Sequence, residues 1–280
     1  MVTASAALAK GVITPKTKIL DQGVYTFYKD YQPACMAWRK NRTTHGNITV
    51  GEALKYSCNY FFYEAGRLTG VEDILEYCHL YGLGEPTGIE LSFEEAAGTL
   101  RKPEEGKVWN PGDTLQISIG QTNLFTPIQM TNYIATLANG GTLYEPHLVK
   151  GVRSAEDGRM ISKTESKVRS EVGLSEENLN AIKEGMLSVT QQGGTAYSIF
   201  RDFPVQVAAK TGTAQVSQGS DTGIFAAFAP YDKPEIAVVT IIEHGTSGGS
   251  VAPVTKKVME YYFSNQLGVS DYKNTGELLP

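Results

Sequence analysis

The chain has 280 residues, of which 41% are hydrophobic and 20% are charged. This composition is ordinary for a globular protein, and the length suits one large domain or two small ones. The formal net charge of -5 argues against a dedicated nucleic-acid binder, which would carry a basic excess or a basic stripe. We therefore expect no nucleic acid among its partners.

A short helix is predicted at the N-terminus. Residues 1–8 are mostly small or apolar, and the run ends with Lys10 in the last turn, Gly11 just past the end and Pro15 beyond it. No turn precedes residue 1 that could cap the first N–H groups of this helix. We infer from this pattern that the chain opens partway along a helix.

The middle of the chain shows helical patterns. Thr49 and Glu52 form a predicted capping box that opens one helix, and a second helix runs over residues 60–66. Residues 57–59 are therefore expected at the junction of two helices. Further helices are predicted over residues 71–81 and 254–263 and after the caps Thr126 and Ser175.

The last third of the chain changes to the period of strands. Residues 205–209 lead as a strand into Lys210, residues 224–229 form a second strand and residues 236–242 form a third. Helices followed by adjacent strands indicate an α+β fold with an antiparallel sheet. Residues 266–280 are expected to form a loose C-terminal tail.

The candidate chemistry lies in two short motifs, Ser57-Cys58-Asn59 and Lys210-Thr211-Gly212-Thr213. Each has a plain structural alternative, because Ser and Asn cap helix junctions routinely and a strand can end in polar residues. Together with a Ser-x-x-Lys motif, they form the set found in penicillin-binding proteins and β-lactamases, enzymes that acylate a serine. No Ser-x-x-Lys precedes them in this sequence.

Two other segments have the spacing of the missing motif. Residues 270–273, Ser-Asp-Tyr-Lys, lie in the predicted tail with no buried helix after them, so we interpret the match as chance. Residues 26–29 have a threonine in place of the serine and lie in an aromatic, turn-rich stretch. Neither segment is expected to supply a nucleophile.

Residues 1–8, Met-Val-Thr-Ala-Ser-Ala-Ala-Leu, resemble the stretch that directly follows the catalytic Ser-x-x-Lys in class B penicillin-binding proteins, the peptidoglycan D,D-transpeptidases. Further similar segments follow in the family's order at residues 82–91, 112–121, 126–127, 210–215 and 225–230. The resemblance covers residues 1–265, which we expect to form one penicillin-binding transpeptidase domain, incomplete at its N-terminus. It places the missing serine and lysine just upstream of residue 1.

The resemblance implies a β-lactamase/transpeptidase-like fold, in which helices flank an antiparallel sheet beside a mostly α subdomain. The sheet of the family has five strands, and the first two precede the nucleophile. This chain can supply only three strands, so the N-terminal strands of the sheet are expected to be missing. Bare apolar edges invite pairing, so we expect residues 236–242 to present an unpaired edge or to be covered by another chain or segment.

The resemblance also implies roles for the second motif. Lys210 and Thr211 face the carboxylate of a D-Ala-D-Ala stem peptide or of a β-lactam, and Gly212 lets the substrate backbone approach. The backbone N–H of Thr213 is one oxyanion donor, and the nucleophilic serine's own N–H is normally the other. No cofactor is needed for this chemistry.

Ser57 and Asn59 resemble the family residues that relay a proton with the active-site lysine and hold the substrate amide. Cys58, between them, is expected to pack rather than to react. Without the nucleophilic serine, the chain is expected not to acylate by itself, because binding and an oxyanion hole give only residual catalysis.

Two alternatives stay open. One is a non-catalytic pseudoenzyme or binding module that recognises stem peptide or a protein partner. The weaker one is a β-lactamase or β-lactam sensor, which fits the segments around Gly82 and Gly112 less well than a transpeptidase does.

The cysteines and histidines show no metal-binding motif. The cysteines lack metal-ligand spacing, and at least one stays unpaired if a disulfide forms. The histidines are scattered and are expected to have structural or surface roles. These residues are Cys35, Cys58 and Cys78, and His45, His79, His147 and His244. We therefore expect no metal site.

Membrane attachment has no signal in this sequence. No window approaches the roughly 18 apolar residues of a membrane span, and no charged-then-apolar signal pattern opens the chain. Members of the resembled family usually have an N-terminal membrane anchor and work outside the cytoplasmic membrane. Membrane association is therefore expected only through an anchor that is absent here.

Overall fold

The computed structural model describes residues 1–91 and 93–267. The helices in this part are α1 (Val2–Ala9), α2 (Met36–Asn41), α3 (Val50–Tyr56), α4 (Asn59–Thr69), α5 (Val71–Leu80), α6 (Pro111–Ser118), α7 (Pro127–Ala138), α8 (Glu176–Thr190), α9 (Tyr197–Phe200) and α10 (Gly248–Leu267). The strands are β1 (Ile19–Asp21), β2 (Gly46–Ile48), β3 (Thr142–Tyr144), β4 (Gly151–Arg153), β5 (Met160–Lys163), β6 (Val168–Glu171), β7 (Ala208–Ala214), β8 (Thr222–Ala229) and β9 (Ile236–Ile242). None of these helices is both long enough and apolar enough to span a bilayer.

The strands pair in an antiparallel manner throughout the described part of the chain. β1 pairs with β2, β3 with β6 and β4 with β5, while β7, β8 and β9 form a sheet in that order. The predicted α+β fold with an antiparallel sheet is therefore confirmed. Within the described residues, β9 pairs only with β8, so the predicted unpaired edge at residues 236–242 is present there.

Capping side chains begin the helices where the sequence indicates. Thr49 and Glu52 form the capping box of α3, and Thr126 and Gln129 form that of α7. Ser175 caps α8 through its side chain. These three predicted helix starts are confirmed. They are predictable because each depends on contacts within one turn of the helix.

Two predicted boundaries are wrong. The strand expected at residues 205–209 begins at Ala208 and continues to Ala214, because the Lys-Thr-Gly residues pair with β8 instead of following the strand. The last helix begins at Gly248 and ends at Leu267, since its Gly- and Ser-rich start gives little helical signal. The remainder of the expected tail, with Ser270, lies outside the described residues.

The β7–β8–β9 sheet is covered by helices on both faces. Ala226 and Phe228 of β8 enter the larger core, to which α3, α7 and α8 contribute. Phe225 and Ala227 enter a second core with Met259 of α10. Because successive strand side chains point to opposite faces, these two cores lie on opposite sides of the sheet.

α3 and α8 approach closely at two glycines. A Cβ added to Gly185 of α8 would lie 2.8 Å from Leu54 Cδ1 and 3.0 Å from the Cα of Gly51. α8 in turn packs against β7. The helix contact therefore sets how far the C-terminal end of α3 lies from β7.

We expect Gly185→Ala to lower the free energy of unfolding by about 1–2 kcal/mol, because overpacking at the helix contact outweighs the better helix propensity of alanine. Gly51→Ala is the matched control, since its Cβ would meet no atom closer than 3.7 Å. That variant should be as stable as the parent or more stable. Urea unfolding midpoints measure both, and equal midpoints for the two variants would contradict the close approach.

Candidate active site

The turn between α3 and α4 presents Ser57. This residue ends α3 in the left-handed conformation, with φ 56° and ψ 49°, which costs a non-glycine residue about 1–2 kcal/mol. The N–H of Cys58 donates to the Ala53 carbonyl at 2.9 Å. The Cys58 thiol then accepts the N–H of Phe61 at 3.5 Å and caps α4. The ends of two helices thus hold the Ser57 turn, as the predicted helix junction requires.

Lys210 of β7 reaches this turn from the sheet. Its ammonium donates to Ser57 Oγ at 2.7 Å and to the backbone carbonyl of Thr211 at 2.7 Å. The two side chains are 153 residues apart in the sequence. The fold therefore places the first residue of one motif against the first residue of the other.

The charge state of Lys210 is set by its surroundings. Burial lowers the pKa of Lys210 to about 8, because removal from water disfavours the charged ammonium. Within the described residues, the hydrogen bonds of this ammonium go to neutral oxygens. An ammonium with neutral partners can still form a charge-assisted hydrogen bond with a carboxylate.

The strand that carries Lys210 has one free edge. β7 pairs with β8 along its whole length, and no other strand of the described residues pairs with its second edge. α10 backs this strand closely, since a Cβ on Gly248 would lie 2.6 Å from the backbone N of Gly212. Unpaired N–H and C=O groups along such an edge can bind an extended peptide.

Two other side chains contact the motif strand and were not among the predicted site residues. Thr195 Oγ1 lies 3.0 Å from Thr211 Oγ1, and Gln121 Nε2 donates to the Thr213 carbonyl at 3.3 Å. Gln121 lies in one of the segments that resemble the family, but the resemblance does not predict its contact with Thr213. Thr195 had no signal in the sequence.

Asn59 lies at the same turn. It is the first residue of α4 and is half-buried. No hydrogen bond joins Asn59 to Lys210 among the residues that the structure describes. The geometry therefore joins Ser57 and Lys210 directly, while Asn59 lies beside them.

A second group of polar side chains lies directly beside the Ser57 turn. One ligand-type atom from each of Asp21, Cys35, His45 and Cys58 lies within 4.8 Å of the others. Cys35 Sγ is 3.9 Å from Cys58 Sγ and 3.7 Å from His45 Nδ1, and His45 Nδ1 is 2.8 Å from Asp21 Oδ2. We call these four residues the Asp21 cluster, and the expectation that the histidines are scattered is wrong for His45. Distant segments of the chain bring them together.

The side chains of the Asp21 cluster shift one another's pKa values. Hydrogen bonding to Cys58 and to His45 lowers the pKa of Cys35 to about 4. Hydrogen bonding to Cys35 and to Asp21 raises the pKa of His45. Two sulfurs, an imidazole nitrogen and a carboxylate oxygen fit the ligand preference of Zn²⁺, which binds such donors in a tetrahedral arrangement. These four residues could therefore hold a metal ion of that kind.

We expect removal of the Ser57 hydroxyl to lower the pKa of Lys210 further, because the buried ammonium loses one of two hydrogen-bond acceptors. Ser57→Ala and Ser57→Gly both remove it, and the glycine variant should be the more stable by about 1 kcal/mol because it tolerates the left-handed turn. An NMR titration of the Lys210 side chain measures this pKa. Ser162→Ala on the exposed strand β5 is the control, and an unchanged pKa in both Ser57 variants would contradict the expectation.

Comparison with known proteins identifies the domain. A family model described as the penicillin binding protein transpeptidase domain matches residues 1–260. Peptidoglycan D,D-transpeptidase MrdA of Escherichia coli (strain K12) is 30% identical over 286 residues, which cover 92% of this chain and 43% of MrdA. The chain therefore spans less than half the length of this curated relative.

Solved structures agree with this match. PBP2 of Pseudomonas aeruginosa, in complex with WCK 5153, superposes with a TM-score of 0.82 at 30% identity, covering 99% of this chain and 61% of that chain. The imipenem acyl-enzyme complex of penicillin-binding protein A from M. tuberculosis gives a TM-score of 0.78 at 25% identity, covering 94% and 58%. The predicted transpeptidase-like α+β fold is thereby confirmed. The chain belongs to the family of penicillin-binding protein transpeptidase domains.

Proposed function

We propose that this chain supplies the Ser-x-Asn and Lys-Thr-Gly parts of a peptidoglycan D,D-transpeptidase site, which forms an acyl-enzyme on a serine. The observation that carries the proposal is the 2.7 Å contact between Lys210 Nζ and Ser57 Oγ. This contact joins the two motifs, and no contact between them would be expected if one were only a helix cap and the other only a strand end.

The proposed substrate is a peptidoglycan stem peptide that ends in D-Ala-D-Ala. Lys210 and the hydroxyl of Thr211 bind its terminal carboxylate, and the free edge of β7 pairs with its extended backbone near Gly212. A β-lactam carries a similar carboxylate and occupies the same place. The M. tuberculosis relative forms an acyl-enzyme complex with imipenem, which supports β-lactams as ligands of this site.

The proposed reaction is acylation of a serine followed by transfer to an acceptor amine. The serine oxygen attacks the penultimate D-Ala carbonyl, the terminal D-Ala leaves with a proton, and the acceptor amine then displaces the serine. Thr213 supplies one oxyanion donor through its N–H. Ser57 and Asn59 relay the proton and hold the substrate amide. The serine itself belongs to a Ser-x-x-Lys motif, which is absent ahead of Ser57 in this sequence.

We propose that the whole protein works at the outer face of the bacterial cytoplasmic membrane. The match to MrdA, a peptidoglycan enzyme by name, supports this placement. A further chain or segment is proposed to pair with the exposed edge of β9, because that edge presents apolar residues in a half-buried strand.

A binding module without chemistry is the second candidate function. The carboxylate site at Lys210 and the edge of β7 support it, because together they are sufficient to recognise a stem peptide without chemistry. A β-lactamase or β-lactam sensor is a weaker alternative, and it requires measurable hydrolysis or signalling in addition to acylation.

We expect no covalent adduct when the 280-residue chain is incubated with excess penicillin and examined by intact-protein mass spectrometry. Fusion of a homologous Ser-x-x-Lys segment ahead of Met1 should give an adduct of one penicillin, and Ser→Ala in that segment should abolish it. Ser270→Ala in the fused protein is the control and should leave the adduct unchanged. An adduct on the unfused chain would contradict the proposed nucleophile, and binding without an adduct in the fused protein would favour the binding module.

Non-covalent binding of benzylpenicillin to the 280-residue chain should weaken as the pH rises through about 8. Lys210 is cationic below its pKa of about 8 and neutral above it, and a bound carboxylate favours the cation. The dissociation constant should therefore rise by about tenfold between pH 7 and pH 9. Isothermal titration calorimetry measures it. Lys210→Arg, which stays charged, should remove the pH dependence, whereas a flat profile in the parent chain would refute the carboxylate role.

A further inference from the structure

The two thiols of the Asp21 cluster face each other beneath the Ser57 turn. Cys35 Sγ and Cys58 Sγ are 3.9 Å apart, both residues are fully buried, and neither is in a disulfide. The third cysteine, Cys78, is also buried, but it lies on α5 and has no hydrogen bond to either thiol in the described part of the chain. The described residues therefore contain one pair of thiols in contact and one thiol apart.

We propose that Cys35 and Cys58 form a reversible disulfide when no metal ion binds them. One thiolate attacks a small disulfide such as oxidised glutathione and releases one glutathione thiolate. The second cysteine attacks the resulting mixed disulfide and releases the other glutathione. The two cysteines lose two electrons and two protons in total, and one oxidised glutathione is reduced to two glutathione molecules.

Formation of the disulfide requires movement of the segment that carries Cys35. The sulfur atoms must approach from 3.9 Å to about 2.05 Å. Cys35 directly precedes α2, a six-residue helix that contains no buried residue. Such a weakly packed segment opens locally at a small free-energy cost. It can therefore admit the oxidant and then move toward Cys58, which is fixed between α3 and α4.

Metal binding and the disulfide exclude each other. The same two sulfurs are candidate metal ligands, and an ion holds both as thiolates. Removal of the ion with a chelator frees them for oxidation. The physiological setting depends on the proposed extracytoplasmic placement, where thiols encounter oxidants. The chemistry depends only on the positions of the two sulfurs and is independent of acyl transfer.

The bond would act on the candidate active site through Cys58. That residue lies between Ser57 and Asn59, and its sulfur also accepts the N–H of Phe61. A disulfide closes the loop from Cys35 to Cys58, which contains α2, β2 and α3. Closing such a loop restricts the unfolded chain, so the thermal midpoint of the oxidised protein should rise by several degrees.

The test treats the 280-residue chain with EDTA and oxidised glutathione, followed by mass spectrometry without reduction. We expect the mass to fall by about 2 Da, since two thiol hydrogens are lost, and a peptide map should link Cys35 to Cys58. Thiol titration in denaturant should then count one free cysteine of the three. Three free thiols, persistent glutathione adducts, or a link that includes Cys78 would overturn the proposal.

Matched variants separate the pair from the third cysteine. Cys78→Ser should still lose about 2 Da, whereas Cys35→Ser should carry at most a glutathione adduct. The peptide map of the parent chain decides the question even if a variant fails to fold. When the oxidation is repeated with excess Zn²⁺ and no chelator, all three thiols should stay free. Disulfide formation at the same rate with and without Zn²⁺ would contradict the proposal that a bound ion protects the two thiols.

Discussion

The contact between Lys210 and Ser57 depends on the close approach of two helices. α3 ends at Ser57, α8 packs against the strand that carries Lys210, and the helices touch where Gly51 meets Gly185. A Cβ at Gly185 would lie 3.0 Å from the Cα of Gly51, so relief of the overlap moves the helix backbones apart by a few tenths of an ångström. Such a movement changes the length of the 2.7 Å hydrogen bond between Lys210 and Ser57. Backbone packing away from the chemistry therefore sets the geometry of the two motifs.

The electrostatics of Lys210 and the free edge of β7 select the same kind of ligand. Burial disfavours the charged form of Lys210 and lowers its pKa, and the oxygen atoms that it contacts in the described structure are neutral. An anionic ligand offsets this cost, whereas a neutral ligand does not. The β7 edge favours extended backbone, since no second strand of the described residues pairs with it. A peptide with a terminal carboxylate meets both requirements, while a free carboxylate or an internal peptide segment meets only one.

The features predictable from the sequence are those set within a few residues. The capping boxes at Thr49 and Thr126 and the helix junction at Ser57 follow from local side-chain chemistry, and the strands follow from their period. The extent of β7 is not predictable from the sequence, because its Lys-Thr-Gly residues resemble a polar strand end and become part of the strand only by pairing with β8. Thr195 and the Asp21 cluster had no local signal, since their contacts come from segments that only the tertiary fold brings together.

Cys58 links the Asp21 cluster to the geometry of the candidate active site. Its sulfur caps α4 and also lies 3.9 Å from Cys35, so the residue expected only to pack has two structural roles. Ser57 is held in a left-handed conformation, and such a residue relaxes when either flanking helix end moves. A bond from the Cys58 sulfur, to a metal ion or to Cys35, opposes that movement at the adjacent residue. Such a bond would therefore stabilise the turn that positions Ser57 against Lys210, although no atom of the cluster needs to react with the substrate.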